Sequence, residues 1–302
     1  MKQLLIAKNA NPSISKEAFL EDVDCLFDVL RTCYGLYDYF GHECFLSAKH
    51  TVIRELKDSS FDIVKAVSTL SDSMSAFIKD GHFRIGADSP SEDHPGYAVR
   101  YGTLHGADLI QCRKFHADTP DEAQQLTCFS QSFDAYRNDK PLIIDLRDNE
   151  GGSDLYIWDF IVGLFGAEPD YPCRYVQNYS ELFCAYANIE KSGILISESD
   201  GVTIRNSKPI YILINEKTAS SGESAVACFK TIENTKIVGT HTAGCFTCGN
   251  CMTIYLPNSH IPVYFGTGMV LYEKTRNIDA EGGFQADISY ECFLDELTAG
   301  RS

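Results

Sequence analysis

Apolar residues recur at helical spacing through the first eighty positions. Phe19, Val23, Leu26, Phe27 and Leu30 share one face, with Ser15 where an N-cap belongs. Phe45, Leu46, Ile53 and Leu56 form a second stripe, and Ile63, Val67, Leu70, Met74, Phe77 and Ile78 a third. Three amphipathic helices in succession predict a helical cap over residues 1–83. Beyond it, Leu109-Ile110 reads as a strand, and Thr119-Pro120 opens a helix running to Tyr136.

From Pro141 the texture changes. Leu142-Ile143-Ile144 is a short, wholly apolar run ended by Asp145-Leu146-Arg147-Asp148-Asn149-Glu150-Gly151-Gly152. A helix carrying Ile157, Phe160, Ile161 and Leu164 follows. Pro209–Ile214 is a second buried strand, a helix spans Ser221 to Glu233, and Lys236–Gly239 is a third strand. After Gly244 the pattern is β-rich, with strands expected at Met252–Leu256, Ile261–Phe265 and Met269–Tyr272. Short buried strands alternating with helices predict an α/β core over 84–302.

Composition narrows the function classes. The 302 residues include 42 acidic against 26 basic side chains, a formal net charge of −16, which argues against nucleic acid and anionic membranes as partners. No apolar run approaches a membrane span, and the N-terminal run is shorter than the roughly 7–15 residues of a signal peptide. A cytoplasmic location is therefore expected. There the twelve cysteines, such as Cys25 and Cys228, serve as small hydrophobes.

Three segments carry candidate chemistry. In the first, a buried strand ends at Ile214 and Thr218-Ala219-Ser220-Ser221-Gly222-Glu223 opens an apolar helix. A hydroxyl there meets free backbone amides and the positive end of the helix dipole, a setting for a nucleophile or an oxyanion. Taken alone, Ser220 or Ser221 reads better as an N-cap than as a nucleophile. In the second, Gly151-Gly152 could let amides face a ligand, but taken alone the segment reads better as a tight strand-to-helix turn with Asp145 and Arg147 as a structural ion pair. In the third, His82 follows the helix break at Asp80-Gly81.

The order of these segments resembles the tail-specific (C-terminal-processing) serine peptidase family. The resemblance covers roughly residues 75–290 and includes Val238-Gly239-x-x-Thr242-x-Gly244, Leu256-Pro257-Asn258-Ser259 and Glu281-Gly282-Gly283-Phe284-Gln285-Ala286-Asp287. It implies a crotonase- and Clp-peptidase-like α/β-spiral core. It makes Ser220 the nucleophile and the amides of Gly151 or Gly152 and Ser221 the oxyanion hole. One branch of the family places a lysine where Cys245 stands, whereas Asp80-Gly81-His82 resembles the tricorn-core-like branch without a PDZ domain. That branch uses a histidine base, here His82, and a late glutamate, here Glu281. His241 ranks second as base. Ala286 stands where the family usually has proline.

A serine peptidase acting on peptides or protein tails is thus expected, without a cofactor, and a homo-oligomer is compatible with it. An inactive relative that binds peptides or small hydrophobic ligands, and an esterase-type acyl hydrolase, are the alternatives. Cys245, Cys248 and Cys251 form a C-x2-C-x2-C run near His241. The run is an incomplete zinc or iron–sulfur signal and reads better as a thiol-rich loop.

Overall fold

Ser15 caps the first long helix by accepting the Ala18 amide at 3.2 Å, as its position in the sequence predicts. The computed structural model describes residues 2–6, 8–57, 61–86, 96–171, 173–198, 201–272 and 283–299. In chain order these form α1 (Lys16–Cys33), α2 (Tyr37–Phe40), α3 (His42–Lys57), α4 (Ile63–Ser75), β1 (Arg84–Ile85), β2 (Val99–Leu104), β3 (Ala107–Cys112) and α5 (Pro120–Gln131). There follow β4 (Leu142–Asp145), α6 (Leu155–Phe165), β5 (Cys173–Tyr179), α7 (Glu181–Ala187), β6 (Gly193–Glu198), β7 (Ile210–Ile214), α8 (Ser221–Phe229), β8 (Thr235–Gly239), β9 (Cys248–Tyr255), β10 (Pro262–Tyr272) and α9 (Tyr290–Ala299).

The compact units do not divide at residue 83. One comprises Met1–Pro90, Tyr175–Ser197 and Thr247–Leu271; the other comprises Ser91–Arg174, Glu198–Phe246 and Tyr272–Ser302. The reason is burial. Apolar faces of the N-terminal helices, with Phe19, Leu26, Phe45 and Leu70 fully buried, need more cover than three helices supply. They find it in Met252 and Ile254 of β9, Val263 and Phe265 of β10, and Leu182 and Phe183 of α7. This first unit carries a sheet ordered β1-β10-β5-β6, with β9 also on β10.

The second unit is built on a sheet ordered β2-β3-β4-β7-β8. Strands β3, β4, β7 and β8 run parallel, and β2 is antiparallel at the edge. Every residue of β4 and β7 is buried, which explains their unbroken apolar runs. Phe293 and Leu297 of α9 pack with Ile143, Tyr211, Leu213 and Val238. Stacked Phe115, Phe129 and Phe160 lie among the other large buried side chains of this unit. The chain is an α/β protein with a helical N-terminus.

Two sequence expectations change in detail. The strands expected at Ile261–Phe265 and Met269–Tyr272 are one strand, because Gly266 and Gly268 keep pairing with Cys251 and Gly249. The helix expected to reach Glu233 stops at Phe229, and Thr231 Oγ1 donates to the Cys228 carbonyl at 2.8 Å.

Candidate active site

The carboxyl ends of β4 and β7 lie side by side, with Asp145 in register with Leu213. In open α/β sheets that edge is where ligands bind. Asp145 is buried, and desolvation would raise its pKa. Hydrogen bonds from Arg147 at 2.9 Å and Arg113 at 2.8 Å outweigh that and bring it down to about 2. The ion pair foreseen in the sequence is real, and Arg113 joins it.

Asn149, fully buried, ties the turn after β4 to the turn after β7. Its Nδ2 donates to the Cys112 carbonyl at 3.0 Å, its Oδ1 accepts the Gly151 amide at 2.9 Å, and its carbonyl accepts the Ala219 amide at 2.8 Å. The two segments with candidate chemistry thereby meet. Gly151 has φ +94°, and a Cβ there would lie 2.6 Å from Ser220 Cβ and 3.0 Å from the Ser221 amide nitrogen.

Ser220 precedes α8 in a conformation that ordinary caps avoid. The capping residues Ser15, Asp62, Thr119 and Ser180 are all extended, and each accepts an amide with its side chain. Ser220 instead has φ 52° and ψ −121°, a region that strains any residue with a Cβ. Its Oγ stands near the Glu223 amide as in a capping box, but that amide's 2.7 Å bond goes to the Ser220 carbonyl. What holds the conformation is Glu223. Its carboxylate accepts the Ser220 amide at 3.1 Å, Thr242 Oγ1 at 2.6 Å, the Gly244 amide at 2.9 Å and the Cys245 amide at 2.8 Å. Burial raises its pKa, against those four hydrogen bonds, which lower it.

Of the three amides expected to form an oxyanion hole, that of Gly151 is engaged by Asn149. Among the described residues, the amides of Gly152 and Ser221 have no such acceptor. Gly152 is solvent-exposed, and its carbonyl accepts Ser221 Oγ at 2.8 Å, which fixes this segment against the start of α8. A Cβ at Gly152 would come within 2.2 Å of the Phe115 carbonyl, so only glycine fits.

His82 belongs to the other compact unit, between α4 and β1. It is 8% exposed. Its amide donates to Asp80 Oδ1 at 2.9 Å, and its Nδ1 lies 3.4 Å from the same oxygen.

A model of peptidase family S41 matches residues 109–290. The chain belongs to that family. The nisin-resistance protein of Lactococcus lactis subsp. lactis is 32% identical over 180 residues, which is 58% of this chain and 54% of that protein. The chain thus spans about half the length of that curated relative. Mature CPAF has a similar fold, with a TM-score of 0.67 at 12% identity over 95% of this chain and 98% of that one. A lipoprotein from Streptococcus agalactiae gives 0.56 at 20% identity, over 97% and 98%. The photosystem II D1 C-terminal processing protease gives 0.54 at 12% identity, over 91% and 93%.

Other residues singled out in this S41 chain fall as follows. Glu281 lies outside the described residues. His241 is exposed, and its Nδ1 donates to the Thr242 carbonyl at 2.9 Å. Cys245, at the lysine position of one family branch, is tied through its amide to Glu223. Cys248 and Cys251 begin β9, and among the described residues no three His, Cys, Asp or Glu side chains come together as a metal would need. No described helix is long and apolar enough to cross a membrane.

Sequence reasoning passed over His116. Its Nδ1 lies 3.4 Å from the Gly151 carbonyl, and its Nε2 lies 3.2 Å from Glu150. It also passed over a cavity of about 160 Å³ lined by Asp154, Ile157, Trp158, Tyr171, Ser224 and Cys228. Ser224 and Cys228 sit four and eight residues after Ser220, on one helical face. Asp154 keeps an exposed edge, yet crowding by protein raises its pKa, against hydrogen bonding to Ser221 and Ser224 that lowers it.

Proposed function

We propose that this S41 chain is a serine peptidase, working through an acyl-enzyme on Ser220 with His82 as general base. The observation that carries the reading is Ser220 itself. A serine held in a strained conformation at a helix start, with Gly151 packed against it and against the Ser221 amide, is the arrangement that exposes a nucleophile over an oxyanion hole. A mere cap would keep the extended conformation of Ser15.

The chemistry follows. As Ser220 Oγ bonds the scissile carbonyl carbon, its proton passes to Nε2 of His82 and the carbonyl π pair moves onto oxygen, facing the two amides. Collapse breaks the C–N bond, and Nε2 returns the proton to the leaving amine. Water repeats the sequence on the acyl-enzyme. Glu281 is assigned a supporting role by family resemblance. The cavity beside Ser224 and Cys228 accepts a substrate side chain, and family membership supports a peptide or protein substrate. The histidine-using branch is supported by Cys245 at the lysine position.

A fluorophosphonate probe tests the site. It should form an adduct on Ser220, located by peptide mass spectrometry, and Ser220→Ala should abolish it. His82→Gln should slow labelling by at least about 100-fold, whereas His116→Gln and His241→Gln should not. Absence of any adduct would favour an inactive, peptide-binding relative. Turnover of esters but of no peptide would favour an acyl hydrolase. A dominant effect of His116→Gln or His241→Gln would displace His82.

A further inference from the structure

We propose that Asp80 is the positioning residue of this site, holding the His82 ring by Nδ1 so that Nε2 faces outward with its lone pair free. This rests on the reading of His82 as the base. It gives the ring a direct partner in Asp80, beside the supporting role that the family resemblance gives to Glu281.

The two residues form one buried construction. The Asp80 side chain is 0% exposed and that of His82 10%. Gly81 separates them, and the chain turns back so that Asp80 Oδ1 accepts the His82 amide at 2.9 Å. The same oxygen lies 3.4 Å from His82 Nδ1, close enough for an ion pair but outside hydrogen-bond alignment. Nδ1 is buried and has no hydrogen-bond partner among the described residues. A proton on Nδ1 therefore has one close acceptor, Asp80. A proton on Nε2 would instead leave the Nδ1 lone pair buried against a carboxylate, two acceptors face to face.

The other groups around Asp80 are donors. From α1, Tyr34 Oη donates to Oδ2 at 3.0 Å. From β9, the Cys248 thiol hydrogen-bonds the same carboxyl group, and Cys251 lies close enough to feel its charge. Burial pushes the pKa of Tyr34 and of Cys248 well above their ordinary ranges and that of Cys251 up to about 11. At neutral pH all three stay protonated. Asp80 is thus the one carboxyl group in this set, and Arg84 acts on Cys251. When the ring accepts the serine proton on Nε2, its positive charge develops against the Asp80 carboxylate, and the loose 3.4 Å contact can shorten into a charge-assisted bond. Asp80 itself takes no proton.

Ring nitrogen NMR on the resting protein is the test. With ¹⁵N-labelled histidine, neutral His82 should carry its proton on Nδ1. Asp80→Asn can turn its amide NH2 toward Nδ1, and should shift the ring to the Nε2–H form. The same variant should lower kcat by at least about 100-fold while KM changes by less than about threefold. Tyr34→Phe removes a donor from the same carboxylate without touching the ring. It serves as the control for lost stability and should leave the Nδ1–H form in place. An Nε2–H ring in the wild-type protein, or an unchanged tautomer in folded Asp80→Asn, overturns the proposal. If Asp80→Asn does not fold, the wild-type tautomer decides alone. The tautomer is read without turnover, so failed labelling at Ser220 would remove the peptidase reading while leaving the Asp80–His82 result intact.

Discussion

Gly151 lies directly against Ser220: a Cβ on the glycine would sit 2.6 Å from the serine Cβ. Real Cβ atoms do not approach so closely, and φ +94° at Gly151 is itself hostile to any side chain. The contact joins the two strand-end turns whose union makes the candidate oxyanion hole.

Gly151→Ala should therefore push Ser220 and the Ser221 amide away from the Gly152 amide. We expect a stability loss of about 1–3 kcal/mol and a kcat/KM lower by at least about 100-fold. Thermal unfolding and steady-state kinetics on the same preparation check both. A variant retaining near-normal kcat/KM would show that the close approach of these turns is unnecessary for turnover.

Glu223 gives a sharper case. Each carboxylate oxygen accepts two donors: Oε1 takes Thr242 Oγ1 and the Gly244 amide, and Oε2 takes the Ser220 and Cys245 amides. In Glu223→Gln the side-chain NH2 must face two donors whichever way it flips. The expected cost is about 1–3 kcal/mol. Labelling of Ser220 should fall because its amide is released. Chemical denaturation and fluorophosphonate labelling rates measure the two effects. Glu223→Asp, which keeps acceptors only, should lose less labelling than Glu223→Gln.

Asp145 makes stability depend on acid. Its folded-state pKa, about 2, lies below the ordinary 3.8, so the ionised group stabilises the fold above pH 3.8. That contribution, about 2 kcal/mol, is lost as pH falls from about 4 toward 2. Asp145→Asn leaves Arg113 and Arg147 without their counter-charge and should cost about 3 kcal/mol near neutrality. Urea unfolding at pH 6 and pH 2.5 should show the wild-type advantage shrinking by about 2 kcal/mol between the two.

Local signals in the sequence proved sound where the structure is local. Ser15 and Thr119 cap helices through their own side chains, and the apolar runs at Leu142–Ile144 and Pro209–Ile214 mark central strands. The contacts of Asn149 and Glu223 were not legible, because each works through partners far along the chain: Cys112 and Thr242. The strand β6 escaped notice for another reason. It is exposed along its whole length, so burial imposes no alternation on it. The sequence offered Gly151 and Gly152 alike for the oxyanion hole, and only the structure shows that Asn149 occupies the amide of Gly151.

The conformation of Ser220 separates its catalytic assignment from its structural cost. With φ 52° and ψ −121° it stores strain that glycine would not feel, while alanine would. Both Ser220→Ala and Ser220→Gly remove the nucleophile and should abolish labelling. They should differ in stability. Ser220→Gly relieves the backbone and should unfold later than Ser220→Ala by about 1 kcal/mol, net of the greater entropy lost on ordering glycine. Differential scanning calorimetry of the two variants gives the comparison directly. Equal stabilities would mean that Ser220 is relaxed in solution, and would withdraw the conformational argument for its role as nucleophile.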